Sequence, residues 1–209
     1  MITGNNHLRQ VLLEVERKFS RLRVYPLTIN GGNPTFHSLK YLGTQTFCDT
    51  YFDHRSLLAH AGTWVRQRDG QWQSKIRQAG DYNNSQFREI QNVDEIGHQV
   101  HLITKKSQPS SKAFGLTQTA KITTHREAWK ADDRFKIVLD HTDFGHVVGE
   151  VELEASVTIQ SDEEAKKYCG LMDSEITSFM QRYCWAFDPN PAIGKLTAYF
   201  ARRQSQELP

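Results

Sequence analysis

Near the start of the chain, Glu14, Glu16 and Lys18 alternate with Leu13, Val15, Arg17 and Phe19. In a strand, successive side chains point to opposite faces. Two carboxylates and an ammonium therefore share one face, and a mainly apolar set shares the other. Two readings are open at this point. The charged row is either the wet side of an amphipathic strand or a row of ligands aimed at a metal-bound anion. The choice depends on what the other strands carry.

The chain offers seven more strands. Thr44–Phe52 alternates and is rich in Thr and aromatic residues. Trp64–Arg68 and Trp72–Arg77, divided by Asp69-Gly70, form a hairpin. Phe87–Val93, Ala120–Trp129, Phe135–His141 and His146–Val157 complete the set, the last two joined by a turn at Asp143-Phe144-Gly145. Helical signals stand between and after them. Pro34–Leu42 reads as a short helix, with Asn33 to cap it, Pro34 in its first turn and Gly43 to end it. Glu95–Lys106 has helical spacing through Ile96, Val100 and Ile103. Ser161 and Glu164 make a capping box that opens helical sequence to Trp185, with a break expected near Gly170. Gly194–Arg203 is a final helix, and Gln108–Lys112 a loop. About eight mostly consecutive strands with marginal helices suit the α+β class with a large antiparallel sheet. No linker divides residues 1–209, which are read as one domain.

The strand faces sort charge by sign. Glu150, Glu152 and Glu154 share a face, Asp140 lies on the strand before, and Glu89 stands with Phe87 and Gln91. Arg66 and Arg68 share a face with Trp64, and Lys75 shares one with Arg77. Solvated faces usually mix signs, because like charges opposite each other destabilise a sheet. Closing eight strands into a barrel with the charged faces inward accounts for the sorting, since such a barrel holds side chains or one small ligand. Buried charges cost several kcal/mol each unless paired. The bases then need a polyanion and the acids need cations. Carboxylates beside phosphates repel by about 4 kcal/mol at ~4 Å and an effective dielectric of ~20, and a divalent ion between them reverses the sign. All-oxygen ligands suit Mg²⁺, with Mn²⁺ as the alternative.

Composition excludes several other classes. Lys and Arg number 26 against 24 Asp and Glu, a net charge of +2. With no basic block, nucleic-acid binding is not expected. Cys48, Cys169 and Cys184 have neither disulfide nor zinc spacing, which points to a reducing compartment and to core positions for the thiols. No stretch of about 18 apolar residues offers a transmembrane helix, and residues 1–10 lack the apolar core of a signal peptide. A cytoplasmic monomer away from membranes is expected.

The pieces occur in an order that resembles a known family. Glu14-x-Glu16-x-Lys18 is similar to the signature of the CYTH, or triphosphate tunnel metalloenzyme, superfamily. Asp49-Thr-Tyr-Phe-Asp53, Trp64-Val-Arg-Gln-Arg68, Trp72-Gln-Ser-Lys75, Ile122-Thr-Thr124, Asp143-Phe-Gly145, Gly149-Glu-Val-Glu152, and Lys195 with Tyr199 follow in family order over nearly the whole chain. Within the superfamily they resemble the thiamine triphosphatases. The resemblance implies an eight-stranded antiparallel closed barrel with flanking helices that hydrolyses the terminal phosphate of a triphosphate. It implies Glu14, Glu16, Glu150 and Glu152 as metal ligands, joined by Asp140 and Glu89. Lys18, Arg66, Arg68, Lys75, Arg126 and Lys195 would grip the triphosphate, and Trp64 at the tunnel mouth would stack on thiamine. Glu14, Glu16 and Lys18 are the catalytic set. The pattern departs in three places: Val138 replaces an acid of vertebrate members, His125 intervenes before Arg126, and Arg77 has no counterpart and could pair on the outer surface. Arg126 is preferred to His125 because its spacing to Trp129 is kept.

The expected chemistry is metal-dependent phosphohydrolysis without a covalent intermediate, with thiamine triphosphate as first substrate. Inorganic, nucleoside or RNA 5′-triphosphates, adenylyl cyclase chemistry, and a non-catalytic polyphosphate- or nucleotide-binding module are the rivals.

Overall fold

The alternation seen in the first strand continues around a complete ring. A computed structural model describes residues 8–207. Its strands are β1 (Arg9–Phe19), β2 (Leu39–Asp53), β3 (Thr63–Arg68), β4 (Gln71–Gly80), β5 (Asn84–Ile90), β6 (Thr117–Ala131), β7 (Phe135–Thr142) and β8 (Val147–Ile159). They form a closed barrel in the order β1-β5-β4-β3-β2-β6-β7-β8, and each neighbouring pair is antiparallel. The helices are α1 (Leu57–His60), α2 (Val93–Thr104), α3 (Asp162–Arg182) and α4 (Lys195–Glu207), with a 3-10 turn at Ser110–Gly115.

The barrel is turned inside out relative to an ordinary soluble sheet. Its apolar side faces outward and is roofed by helices. Leu13, Val15 and Phe19 of β1 pack with Ile137 of β7 and Val151 of β8 beneath Ala165, Cys169 and Ile176 of α3, and all eight are 0 % exposed. Arg17, on that same outer face, escapes burial cost by donating to both carboxylate oxygens of Asp173 on α3 at 3.0 Å. A second cluster joins Val65 and Ile90 of the barrel to Leu58 of α1, Ile96 and Val100 of α2, and Phe114 of the 3-10 turn. Each fully buried large apolar side chain contributes about 1.5–3 kcal/mol. That outer shell allows the interior to be charged.

Several local readings hold and several are corrected. Asp69 (φ 49°) and Gly70 (φ 85°) make the two-residue β3–β4 turn, both in the left-handed region that such hairpins require. Ser161 Oγ caps α3 by accepting from Glu164 N–H at 3.3 Å, while Glu164 Oε2 accepts from Gln160 N–H, one residue before the cap, at 2.7 Å, a shifted form of the expected capping box. Residues 34–42 are not a helix: 34–38 are irregular, and β2 begins at Leu39. Tertiary partners take this segment's polar groups. Trp185 Nε1 donates to Pro34 O at 2.8 Å, Asp132 Oδ1 accepts from His37 N–H at 2.9 Å, and Phe36 is buried 4.4 Å from the Tyr183 ring. Gly43 (φ 96°) marks a bulge within β2 rather than a helix end. α3 runs unbroken through Gly170, whose exposed position tolerates the roughly 1 kcal/mol that glycine costs a helix. β5 ends at Ile90, because Asn92 caps α2 by accepting from Glu95 N–H at 3.0 Å. Of the cysteines only Cys169 is buried.

Gly149 faces Phe19 across β1 and β8, and a Cβ there would lie 2.0 Å from the Phe19 ring. That ring cannot swing away, being fully buried 5.1 Å from Phe187. Gly149→Ala is expected to cost about 1–3 kcal/mol, the usual range for overpacking. Denaturant unfolding should show a lower midpoint at an unchanged slope, and wild-type stability would mean that the ring has room to move.

Candidate active site

Inside the ring lies a cavity of about 450 Å³. Glu14, Glu16 and Lys18 of β1, Trp64, Arg66 and Arg68 of β3, Lys75 of β4, Glu89 of β5, Arg126 of β6, and Glu150 and Glu152 of β8 all line it. Lys195 joins them from the first turn of α4, whose Leu196, Thr197 and Phe200 close part of the wall. Asp140 is not among the lining residues.

The acids converge where β1 meets β8. Glu14 pairs in register with Glu154, Glu16 with Glu152, and Lys18 with Glu150. Directly opposed carboxylates repel, and two lysines offset this. Lys75 bonds Glu14 and lies 3.3 Å from Glu16 and 3.4 Å from Glu89, while Lys18 bonds Glu16 and lies 3.5 Å from Glu150. Burial pushes the Glu14 carboxyl up, and Glu16, Glu89 and Glu152 add to it against the pull of Lys75, reaching about 8. Burial also opposes the ionisation of Glu150. There Lys18, Lys195 and Arg126 more than offset it and hold that carboxyl far below the ordinary range. Lys18 keeps its proton more firmly than a free lysine, because Glu16 and Glu150 outweigh its burial.

Carboxylate oxygens of Glu14, Glu152 and Glu154 lie within 4.8 Å of one another. An all-oxygen, all-anionic donor set of this kind fits a hard divalent cation such as Mg²⁺ or Mn²⁺. Glu16 and Glu150 flank it on the same wall. Glu154, absent from the ligand set expected from sequence, is the exposed member.

Two buried carboxylates behind the wall set the cations. Asp49 of β2, 1 % exposed, accepts from Arg68 Nε at 2.8 Å and Nη2 at 2.7 Å, and from Arg66 Nη1 at 3.4 Å. Asp140 of β7, 0 % exposed, accepts from Arg126 Nε at 2.7 Å and Nη2 at 2.8 Å, and also bonds Lys195. The structure thus places Asp140 among the cations rather than with the acid cluster. Arg68, Arg126 and Lys195 also each lie over the ring of buried Phe47, at 4.0, 5.3 and 5.7 Å from its centroid. His125 bonds Thr46 at 2.8 Å and is exposed, so Arg126 holds the inward position. Lys136 of β7 lies 2.8 Å from Glu152 Oε2 and also lines the cavity.

Sequence reasoning gave no role to Asp49, Phe47 or Lys136. Parity was the available signal: Phe47 and Asp49 alternate along β2, as Lys136 and Asp140 do along β7. Arg77 lines the cavity rather than the outer surface, its Cζ 4.9 Å from the centroid of Trp64. Phe87 meets Trp64 edge-on at 5.6 Å.

Comparison with known proteins follows the same outline. The CYTH domain family matches residues 12–173. The thiamine-triphosphatase of Homo sapiens is 31 % identical over 169 residues, covering 69 % of each chain, and that of Macaca fascicularis is 30 % identical over the same length and shares. A solved structure from Pyrococcus horikoshii OT3 aligns over 91 % of this chain and 99 % of its own at 14 % identity, with a TM-score of 0.51, a likeness of fold.

The Glu14 carboxyl, ordinarily at 4.5, keeps its proton in the metal-free folded protein up to about 8. Between those values the folded state binds more protons than the unfolded chain, so stability falls as pH rises through the window. Glu14→Gln has no such proton to lose and should flatten the fall. Thermal midpoints of both proteins in chelator, from about pH 5 to about 8, check this. Parallel curves would remove Glu14 as the cause.

Proposed function

The chain belongs to the CYTH domain family, and from that premise we propose that it hydrolyses the terminal phosphate of a small-molecule triphosphate with a divalent metal, Mg²⁺ or alternatively Mn²⁺. One observation carries the reading: an all-carboxylate cluster stands beside cations that two buried aspartates have already oriented. Thiamine triphosphate is the first candidate substrate, supported by the names of the human and macaque relatives. Inorganic triphosphate is the second, supported by Arg77 in the wall, whose guanidinium has no carboxylate partner among the described residues.

In this reading Arg66, Arg68, Arg126 and Lys195 receive phosphate oxygens without first reorganising, because Asp49 and Asp140 hold them in place. Preset donors of this kind stabilise developing charge at little cost in the reaction itself. Lys18 and Lys75 neutralise the acid cluster, and would be freed for the triphosphate if Glu14, Glu16, Glu150 and Glu152, with Glu89 and Glu154 beside them, held a metal. When bound, the metal supplies Lewis-acid polarisation of a phosphoryl oxygen. The fixed cations align the chain for in-line attack. The closed barrel leaves no sheet edge to pair with another copy, which supports a monomer. Among the described residues no helix is long and apolar enough to cross a membrane, and the free cysteines fit the cytoplasm.

Phosphate release from inorganic triphosphate, thiamine triphosphate and ATP, with and without Mg²⁺, tests the proposal. Binding without release would instead identify a binding module. Glu16→Gln is expected to lower Mg²⁺-dependent turnover by more than about 100-fold, the scale of a lost electrostatic partner of the transition state. A folded variant with wild-type turnover would remove Glu16 from the site. Arg66→Ala and Arg68→Ala should each raise KM for every triphosphate by a similar factor, about 10-fold to 100-fold for a charged hydrogen bond. An effect confined to thiamine triphosphate would move these arginines to the organic end.

A further inference from the structure

Of the basic side chains that line the cavity, Lys18, Arg66, Arg68, Lys75, Arg126, Lys136 and Lys195 each meet a carboxylate. Arg77 is different. Among the described residues no carboxylate pairs with it, and its buried Nε has no hydrogen-bond acceptor. It is nevertheless held firmly. Its Cζ lies 4.9 Å from the ring centroid of Trp64 and 4.9 Å from that of Tyr82. Its backbone N–H donates to Gly62 O at 2.8 Å, and β4 bulges immediately after it. Tyr82 is 67 % exposed, which locates the stack at the rim of the cavity.

Two aromatic faces satisfy a guanidinium electrostatically without using its N–H groups. Those donors form a planar fork that matches phosphate oxygens. A cationic ring entering the same rim would meet a like charge on the aromatic surface that should receive it. A phosphate chain ending in a free oxyanion would meet its complement.

We infer that Arg77, clamped between Trp64 and Tyr82, is an anion subsite at the tunnel rim that takes the free end of an inorganic polyphosphate in preference to an ester bearing a cationic ring. The inference rests on the triphosphatase reading and adds which end group the rim accepts. Trp64, expected to stack on the organic moiety, instead positions the arginine.

The test compares wild type, Arg77→Ala and Arg77→Lys, with folding checked by thermal unfolding. Inorganic triphosphate binding is measured by calorimetry in chelator, where no turnover occurs, and kcat/KM is measured with Mg²⁺ for inorganic and thiamine triphosphate. Arg77→Ala should weaken calorimetric binding and lower kcat/KM for inorganic triphosphate by about tenfold or more, through KM, the scale of a lost charge-assisted hydrogen bond. Thiamine triphosphate should be turned over as well as before or better. Arg77→Lys should restore only part of the loss, since it keeps the charge but not the fork. Equal losses on both substrates would overturn the inference, because Arg77 would then hold a phosphate common to both. Unchanged affinity for inorganic triphosphate would overturn it as well. Failure of the triphosphatase reading looks different: the wild type releases no phosphate from any substrate, while the calorimetric comparison still reads the subsite.

Discussion

Carboxylates that face one another across the seam of β1 and β8 set the terms for everything around them. Glu16 stands opposite Glu152 and Glu14 opposite Glu154, an arrangement that a sheet normally avoids. It persists because Lys18 and Lys75 lie against the row from the inside. It also persists because the outer faces of the same strands are locked under α3 by a dense apolar cluster. Attraction to cations is therefore built into the fold before any ligand arrives. The proton that Glu14 retains is one expression of that unmet demand.

The opposite wall uses a different solution. Its arginines are held first by Asp49 and Asp140, sunk behind them, and Arg126 also reaches the acid row, donating to Glu152 at 3.4 Å. A carboxylate behind a guanidinium fixes its plane and leaves its inner edge toward the cavity. The Phe47 ring is a contact shared by three of these cations. The tunnel thus holds charges that are committed in advance, with Arg77 as the exception at the rim.

Much of this was legible in sequence because strand parity survives folding unchanged. Once Glu14, Glu16 and Lys18 were placed on one face, a closed ring decided whether that face met water or a lumen, and the sorting of charge by strand already argued for the lumen. The Asp69-Gly70 turn was equally direct. What could not be read was lateral. β2 lies between β3 and β6, so Asp49 meets arginines of β3, while Asp140 meets one on β6 and a lysine from α4. Sequence spacing carries no trace of those partners. The segment after Pro34 misled for a related reason. Its Asn, Pro and Gly signals are local, whereas Trp185 and Asp132, both distant in sequence, take its hydrogen bonds.

The seam between β1 and β8 has a consequence for how the molecule comes into being. It joins the first strand of the barrel to the last, whereas hairpins such as β3–β4 and β7–β8 close locally. Contacts between distant parts of a chain carry the largest loop-closure entropy and slow folding. Until the seam forms, the sheet is open along two edges, and the carboxylates of β1 and β8 are far apart. The acid cluster is thus a product of ring closure. A cation that requires both rows recognises only the completed barrel, so its binding free energy adds directly to the stability of the folded state by mass action.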